Sequence, residues 1–313
     1  MQATETLDRP TSAQAQFQCI RCAAPLSAQE GDFACAGCSF PYSAVPNGIK
    51  YNADPLLFEN YKKKFLLYKV LNNNGYISYQ YLHEGSVSLP GRSDVAAFRA
   101  FIESAVPAGR ILDIGCGILP LPGYLDFANK GGYELFGLDP IEETQFQGVR
   151  IIGCSEYLPL ADESFDAVIF ATSLDHVCSM EKTASEALRV LKPGGNLLIW
   201  MSDRSQTLVQ RAKGVARRLA LNVMRGYRTD KFYVYPNLTV LYAPKGAVDA
   251  FHSFAETPAK VKKLMCGAGF VHAGMQYDNR DQVFLRFVKP EAAAASPASG
   301  EVGSAGRSGT QSR

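Results

Sequence analysis

The chain lacks a strong excess of charge of either sign and a long apolar run. Its 313 residues contain 32 lysines and arginines against 30 acidic residues. The resulting net charge of +2 is too small to indicate nucleic-acid binding by itself. No stretch approaches the roughly 18 apolar residues that a membrane-spanning helix needs. The first residues have no apolar signal-peptide core, so the sequence predicts a cytoplasmic protein, in which the eight cysteines are not expected to form disulfides.

Composition divides the chain into five parts. Residues 1–16 are polar and residues 291–313 are rich in Ala, Ser and Gly, and both are predicted to be disordered. Residues 17–52 hold four of the eight cysteines. Residues 53–104 are predicted to be a helical connector. Residues 105–290 alternate apolar runs with turns and helices, and they are predicted to form the main domain.

The apolar pattern also places the individual elements. Helical spacing predicts one helix over 54–71 and another over 94–105, with Ser93 as the N-cap of the second. Short apolar runs predict seven strands, at 110–114, 134–138, 149–153, 166–171, 196–201, 270–277 and 282–288. The last two are predicted to form a hairpin. The fold class is therefore α/β, a doubly wound, seven-stranded and mostly parallel sheet.

The stretch RILDIGCGILPLPGYL, residues 110–125, ends the first strand of this domain in an unusual loop. A diphosphate-binding loop would need a third glycine where the chain has Pro120, and Asp113 would place a negative charge beside the phosphates. We expect a tight turn that leads into a helix, whose first N–H groups would face a carboxylate. The loop favours a nucleoside-like ligand whose nearest group is not a phosphate.

Further polar motifs follow the next strands. They are GLDP after the second, CSEYLPLADESFD after the third, ATSLDHV after the fourth and RVLKPGG before the fifth. In sequence, order and spacing, these motifs and LDIGCG resemble the class I S-adenosylmethionine-dependent methyltransferases of the type 11-like group, over roughly residues 105–290. Two positions depart from the family pattern. Leu119 replaces a frequent third glycine, and Cys154 stands where many members carry an acid.

The resemblance implies S-adenosylmethionine as cofactor and assigns its contacts. The methionine end is expected on the Asp113 loop, the ribose on Asp139, and the adenine near the loop after the third strand, where Glu156 could replace the missing acid. The full set of implied cofactor residues is Asp113, Gly115, Cys116, Gly117, Asp139, Pro140, Ser155, Glu156 and Tyr157.

Two cysteine pairs predict a metal site near the N-terminus. Cys19 and Cys22, and twelve residues later Cys35 and Cys38, have the spacing of two knuckles that build one tetrahedral site of four thiolates. Few large apolar residues surround them, so this segment needs a staple to fold. We predict structural zinc in a zinc ribbon, with an iron site or free thiols as the alternatives. Similar ribbons accompany ribosomal-RNA guanine methyltransferases.

Two histidines are the candidate catalytic residues. His176 follows the fourth strand, although it could instead simply bond to Asp175, and His252 precedes the sixth strand. A general base is needed only if the acceptor must lose a proton, because positioning does most of the work in methyl transfer.

A basic insertion, predicted at 203–250, follows the fifth strand. From Arg204 to Lys231 it has eight lysines and arginines against one acid, and four of the arginines recur every seven residues beside an apolar stripe. It could be a solvated lid helix, a surface for an anionic acceptor such as a sugar nucleotide, a lipid-linked glycan or RNA, or a peripheral membrane contact through 204–225.

These features together predict an S-adenosylmethionine-dependent methyltransferase that acts on a small-molecule or glycan acceptor, by O-methylation. An RNA methyltransferase is the alternative that the ribbon and the basic stripe favour, but no NPPY-like motif follows the fourth strand. A non-catalytic S-adenosylmethionine-binding scaffold is the third alternative.

Overall fold

The computed structural model describes residues 17–29, 32–81, 91–142, 144–203, 231–234, 240–243, 256–278 and 282–291. The strands are β1 (Leu26–Gln29), β2 (Asp32–Cys35), β3 (Tyr42–Val45), β4 (Gly48–Lys50), β5 (Gly109–Ile114), β6 (Tyr133–Asp139), β7 (Val149–Ile152), β8 (Phe165–Ala171), β9 (Leu191–Ser202), β10 (Lys231–Val234), β11 (Val240–Ala243), β12 (Val271–Asp278) and β13 (Gln282–Val288). The α-helices are α1 (Asp54–Tyr81), α2 (Ser93–Ala105), α3 (Met180–Val190) and α4 (Pro258–Gly267). Two 3-10 segments span Gly123–Lys130 and Leu174–His176.

All seven predicted strands of the main domain are present, as β5 to β9, β12 and β13. They lie in the order β7-β6-β5-β8-β9-β13-β12 within one sheet. β5 to β9 are parallel to one another, and β13 runs antiparallel to both β9 and β12. The α/β fold with a mostly parallel sheet is therefore confirmed. The residues between β12 and β13, where we predicted the turn, lie outside the described part.

Helices cover both faces of this sheet. On one face, α2 and the segment Gly123–Lys130 close over a cluster that includes Phe98, Tyr124 and Trp200. On the other face, α1, α3 and α4 pack on a second cluster that includes Leu57 and Met265. Successive residues of β8 contribute to opposite clusters, and almost all of them are buried. This burial on both faces is what a parallel sheet requires.

Three local predictions were wrong. Ser93 is the first helical residue of α2 and not its cap; the N-cap is Arg92, whose side chain makes no capping bond. No helix starts directly after the glycine loop, because the next helical segment is the 3-10 turn that begins at Gly123. Pro120 and Pro122 explain this delay, since proline lacks an N–H group and disfavours helical geometry in the residue before it. Helix α1 also runs beyond residue 71, with non-helical angles at Tyr61.

The Pro-Gly-Gly turn before the fifth strand is absorbed into β9 as an irregularity. Pairing with β8 passes from Leu191 directly to Asn196, so the four residues between them bulge out of the ladder. Gly194 has a φ of +76° there, which favours glycine. Of the predicted basic insertion, the structure describes 203 and the antiparallel pair β10 and β11. The arginine stripe and the membrane contact predicted for 204–225 lie outside the described residues.

The N-terminal ribbon continues the main sheet instead of forming a separate body. β1 to β4 form an antiparallel meander, and β4 then pairs in parallel with β7, which gives an eleven-stranded sheet. The joint is close: a Cβ on Gly48 would lie 1.8 Å from the carbonyl oxygen of Arg150. Within the described part of the chain, no helix is long and apolar enough to cross a bilayer.

The joint between β4 and β7 generates a testable prediction. Gly48→Ala is expected to lower the free energy of unfolding by roughly 1–3 kcal/mol, the usual cost of forcing atoms into a packed site. Gly274→Ala is the matched control, because a Cβ there meets no atom of the described residues within 4 Å. Urea unfolding measures both variants. Equal stability of the two would show that β4 does not pair closely with β7.

Candidate cofactor site and four-thiol centre

The parallel pairing brings the predicted cofactor residues to one edge of the sheet. β5 lies between β6 and β8, and β6 lies next to β7. Asp113, Asp139 and the loop after Ile152 therefore meet at the carboxyl ends of neighbouring strands. Such an edge is where open α/β sheets bind their ligands.

The glycine loop after β5 is held against the neighbouring segments. Gly115 and Gly117 have φ values of +78° and +72°, which non-glycine residues rarely adopt. A Cβ on Gly115 would lie 2.3 Å from the Cβ of Ser173, and the hydroxyl of Ser173 donates to the carbonyl of Ile114. Glycine is thus required at 115 by both conformation and space.

Asp139 closes this loop from the end of β6. Its Oδ2 accepts from the backbone N–H of Gly117 at 2.9 Å, and its Oδ1 accepts from that of Ile141 at 3.0 Å. The carboxylate is buried, and desolvation raises its pKa to about 6 despite these two bonds. Each oxygen keeps a second lone pair for another donor.

Asp113 is the least satisfied group of the site. Its Oδ2 accepts from the hydroxyl of Tyr124 at 2.8 Å, whereas its buried Oδ1 has no hydrogen-bond partner among the described residues. Desolvation raises the pKa of Asp113 to about 7, and the nearby charge of Asp139 adds to the increase. A buried carboxylate of this kind favours a cationic ligand.

Glu156 faces the interior. Its Oε1 accepts from the backbone N–H of Ser179 at 2.8 Å and also from that of Cys178, while its buried Oε2 has no hydrogen-bond partner in the described part. Burial raises the pKa of Glu156. Glu156 therefore fastens the loop after β7 to the start of α3. Its predicted adenine contact remains a prediction.

The other predicted cofactor residues differ in how their side chains lie. Cys116 is buried with its thiol 3.8 Å from the Thr144 hydroxyl, so only its backbone is placed to meet a ligand. Ser155 is buried and its hydroxyl lies 2.8 Å from that of Thr183. Tyr157 accepts at its hydroxyl from Asn60 of α1 at 3.0 Å. Pro140 is half-buried beside Asp139.

One of the two candidate catalytic histidines falls in the described part. His176 ends the 3-10 turn after β8, and its Nε2 lies 3.5 Å from Asp175 Oδ1. Its side chain is 31% exposed, so a solute can reach it. The contact with Asp175 is the bond expected if the histidine has no catalytic role, and it also orients the ring. His252 lies outside the described residues.

The four paired cysteines lie close together in the N-terminal ribbon, around β1 and β2. Their sulfur atoms all lie within 4.8 Å of one another, with 3.4 Å between Cys19 and Cys38 and 3.3 Å between Cys22 and Cys35. Zn–S bonds of about 2.3 Å in a tetrahedron place sulfurs about 3.8 Å apart. Backbone N–H groups of Arg21 and Gly37 point at the sulfurs of Cys19 and Cys35. The four thiols fit one zinc ion.

Sequence reasoning missed three residues of these sites. Tyr124 bonds Asp113, Thr144 donates to the carbonyl of Gly117 at 2.6 Å, and Tyr51 bonds the loop after β7. Tyr124 lies within the stretch 110–125 that the sequence analysis quoted. A tyrosine hydroxyl close in sequence to a buried acid was a signal that could have identified it. Tyr51 and Thr144 reach their partners through tertiary packing and left no pattern in the sequence.

Comparison with known proteins agrees with this arrangement. Residues 112–199 match the family described as "Methyltransferase domain". Human mitochondrial ubiquinone biosynthesis O-methyltransferase is 28% identical over 144 residues, which cover 41% of this chain and 38% of that protein. The ubiquinone/menaquinone biosynthesis C-methyltransferase UbiE of Klebsiella pneumoniae is 28% identical over 139 residues, with shares of 40% and 49%. The chain thus spans less than half the length of these curated relatives.

Among solved structures, the fold resembles the 1,6-didemethyltoxoflavin-N1-methyltransferase of Burkholderia thailandensis, determined with 1,6-didemethyltoxoflavin and S-adenosylhomocysteine. The sequences are 11% identical, the TM-score is 0.48, and the match covers 82% of this chain and 97% of the other.

The matched segment begins within β5 and ends within β9, so it contains the glycine loop and both buried aspartates. This match and the methyltransferase relatives support the resemblance to the class I S-adenosylmethionine-dependent methyltransferases seen in the sequence.

The raised pKa of Asp113 predicts how stability depends on pH. A folded-state pKa near 7 against an unfolded value near 3.8 means that the folded protein keeps a proton that the unfolded chain releases. The resulting contribution of Asp113 to the free energy of unfolding is fully present below about pH 4 and is lost as the pH rises toward about 7. Asp113→Asn, which cannot ionise, is expected to gain stability relative to the wild type across that range. Urea unfolding at several pH values measures the difference, and a constant difference would contradict the burial of Asp113.

Proposed function

We propose that this protein transfers a methyl group from S-adenosylmethionine to a small-molecule acceptor, at an oxygen atom. The observation that carries the proposal is the pair of buried carboxylates at the ends of β5 and β6, one of which has an oxygen without a hydrogen-bond partner among the described residues. When bound, the cofactor supplies an electrophilic methyl group on a positively charged sulfur. The match of residues 112–199 to a methyltransferase domain supports the use of this cofactor.

The residues present fit the cofactor. The orphaned Oδ1 of Asp113 suits the ammonium of the methionine end, because an ammonium donates hydrogen bonds and neutralises the buried charge. The free lone pairs of Asp139 suit the two ribose hydroxyls. Backbone groups of the Gly115–Gly117 loop can approach the ligand closely, since the two glycines carry no side chains of their own.

Family relatives support the class of acceptor. The two curated relatives carry names that place them in ubiquinone or menaquinone biosynthesis, one as an O-methyltransferase and one as a C-methyltransferase. A small organic acceptor is therefore favoured, and oxygen is our choice of acceptor atom. The half-exposed His176, oriented by Asp175, is the acceptor-side base that we propose. The proposal includes glycans among the possible classes of acceptor.

An RNA acceptor is the second candidate, because a four-thiol ribbon precedes the methyltransferase domain. The two candidates differ in where the methyl group goes. Purified protein would be incubated with methyl-labelled S-adenosylmethionine and either a small-molecule extract or total RNA. We expect label in the small-molecule fraction, and label confined to nuclease-sensitive RNA would overturn the proposal.

Asp139→Ala provides the variant for this experiment. Removal of its carboxylate is expected to weaken S-adenosylmethionine binding by roughly 1.5–3 kcal/mol, the value of hydrogen bonds to a charged group, with matching loss of labelling. Asp126→Ala is the control. Asp126 lies in the 3-10 segment Gly123–Lys130, and its carboxylate pairs with Arg99 of α2. Calorimetry that finds equal affinity for Asp139→Ala and Asp126→Ala would exclude this cofactor placement.

We further propose one structural zinc ion per chain, held by Cys19, Cys22, Cys35 and Cys38. Zinc suits four thiolates in a closed tetrahedral set, and its binding energy would offset the small apolar core of the ribbon. Elemental analysis of protein purified without chelators is expected to find one zinc per chain.

Substitution separates this site from the lone cysteines. Cys35→Ser is expected to lose most of the zinc, whereas Cys266→Ser, which changes an exposed cysteine outside the cluster, is expected to keep it. Iron in place of zinc, or equal metal content in the two variants, would contradict the proposed zinc site.

A further inference from the structure

Tyr51 connects the ribbon to the loop that follows β7. It comes directly after β4 and is 4% exposed. Its hydroxyl accepts from the backbone N–H of Cys154 at 3.1 Å and lies within bonding distance of the carbonyls of Cys154, at 2.9 Å, and Tyr157. The ring fills the space beside Gly153, where a Cβ would lie 2.2 Å from it. One ribbon side chain thus holds both ends of the loop predicted to meet the adenine.

Tyr42 connects Tyr51 to the four-thiol centre. Its hydroxyl donates to the sulfur of Cys19 at 3.3 Å and accepts from the backbone N–H of Ile20 at 2.8 Å. Its ring centroid lies 6.1 Å from that of Tyr51, with an angle of 51° between the planes. Both rings belong to one buried cluster. Two packed side chains therefore span the distance from the predicted metal ligands to the cofactor loop.

The other polar side-chain contacts across this joint, among the described residues, are exposed; one is the hydrogen bond from Gln18 to Asp162 at 3.4 Å. Lys50 and Glu142 form an ion pair at 2.6 Å, but their side chains are 37% and 62% exposed, and exposed pairs contribute little. The tyrosine contacts, by contrast, are buried, and a buried backbone group left without its partner is costly. A backbone bond also joins Gln18 to Pro159, but it meets the chain beyond the loop at 153–157. Tyr51 is therefore the ribbon side chain through which movement of the ribbon would reach the loop itself.

We propose that Tyr51 is a positioning residue for cofactor binding, and that through Tyr42 it makes cofactor affinity depend on metal in the four-thiol centre. This inference rests on the proposed function. Metal fixes Cys19, which anchors the Tyr42 hydroxyl and with it the ring that packs on Tyr51. Loss of metal frees that anchor and leaves the loop at 153–157 less ordered. Because coupling between two binding sites is reciprocal, the cofactor must also tighten metal binding.

The test measures binding of S-adenosylhomocysteine to the full-length zinc-loaded protein by calorimetry, before and after zinc removal with a chelator. Tyr51→Phe keeps the ring and removes the hydroxyl, and we expect it to weaken binding about tenfold, as the loss of buried hydrogen bonds would. Chelation of the wild type should have a similar effect. Chelation of Tyr51→Phe should add little, since the connection is already broken.

Tyr133→Phe is the matched control. The hydroxyl of Tyr133 lies 3.0 Å and 2.8 Å from the carbonyls of Val106 and Pro107. Tyr133 is the first residue of β6, so this contact lies at the amino ends of the strands, away from the cofactor loop. A purely structural effect of losing such a hydroxyl would change thermal stability in both variants, but only Tyr51→Phe should change affinity. Unchanged affinity in Tyr51→Phe, or full additivity of the substitution and chelation, would overturn the inference.

A second readout needs only the wild type, so it remains decisive if Tyr51→Phe or the metal-free protein does not fold. The fraction of zinc that a competing chromogenic chelator removes at equilibrium should fall when S-adenosylhomocysteine is present, and an equal fraction would contradict the coupling. The wild-type titration also separates the two proposals. No binding by the zinc-loaded wild type would refute the proposed function, whereas binding that ignores metal and Tyr51 refutes only this inference.

Discussion

Two carboxylates buried at the ends of neighbouring strands are the constraint on which this structure depends. Asp113 is the residue before the last of β5, and Asp139 is the last residue of β6. Both are almost completely removed from solvent. Charge in such a place is costly unless donors surround it. Gly117, Ile141 and Tyr124 supply donors, yet one oxygen of Asp113 stays unpartnered among the described residues. A cationic ligand would complete the set, and this need links the fold to the proposed cofactor.

The sequence predicted those parts of the fold that local patterns determine. The strands of the main sheet were predictable because their residues are buried on both faces and read as short apolar runs between turns. Asp113 and Asp139 were singled out because the motifs LDIGCG and GLDP resemble those of a known family, and the strand pairing brings both to one edge of the sheet. The predicted start of α2 was wrong by one residue, and the helix expected after the glycine loop was wrong because Pro120 and Pro122 delay the next helical segment to Gly123.

Features formed by tertiary packing could not be predicted in this way. The ribbon at 17–52 was predicted apart from the main domain at 105–290, but β4 pairs with β7 and extends the sheet. Nothing in the residues of β4 indicates that partner, apart from the glycine at 48 that the close approach requires. Tyr51 likewise depends on a contact with residues about a hundred positions away. Such long-range contacts have no periodicity that a sequence can show.

A continuous sheet changes how the four-thiol centre is understood. Its strands share hydrogen bonds and a buried cluster with the methyltransferase domain, so the centre is part of the same packed structure as the cofactor edge. A docking module tethered by a linker would lack these contacts. The ribbon can therefore contribute to the cofactor site whether or not it also contacts an acceptor.

The most direct test of the account counts the protons that accompany cofactor binding. Calorimetry of S-adenosylmethionine binding in buffers of different ionisation enthalpy gives this number. Because the pKa of Asp113 lies near 7 without ligand and a cation favours the ionised form, binding near pH 6 should release about one proton. Release should fall toward zero by about pH 8 and be lost in Asp113→Asn. Binding without proton release at any pH, or with release unchanged in Asp113→Asn, would contradict the account.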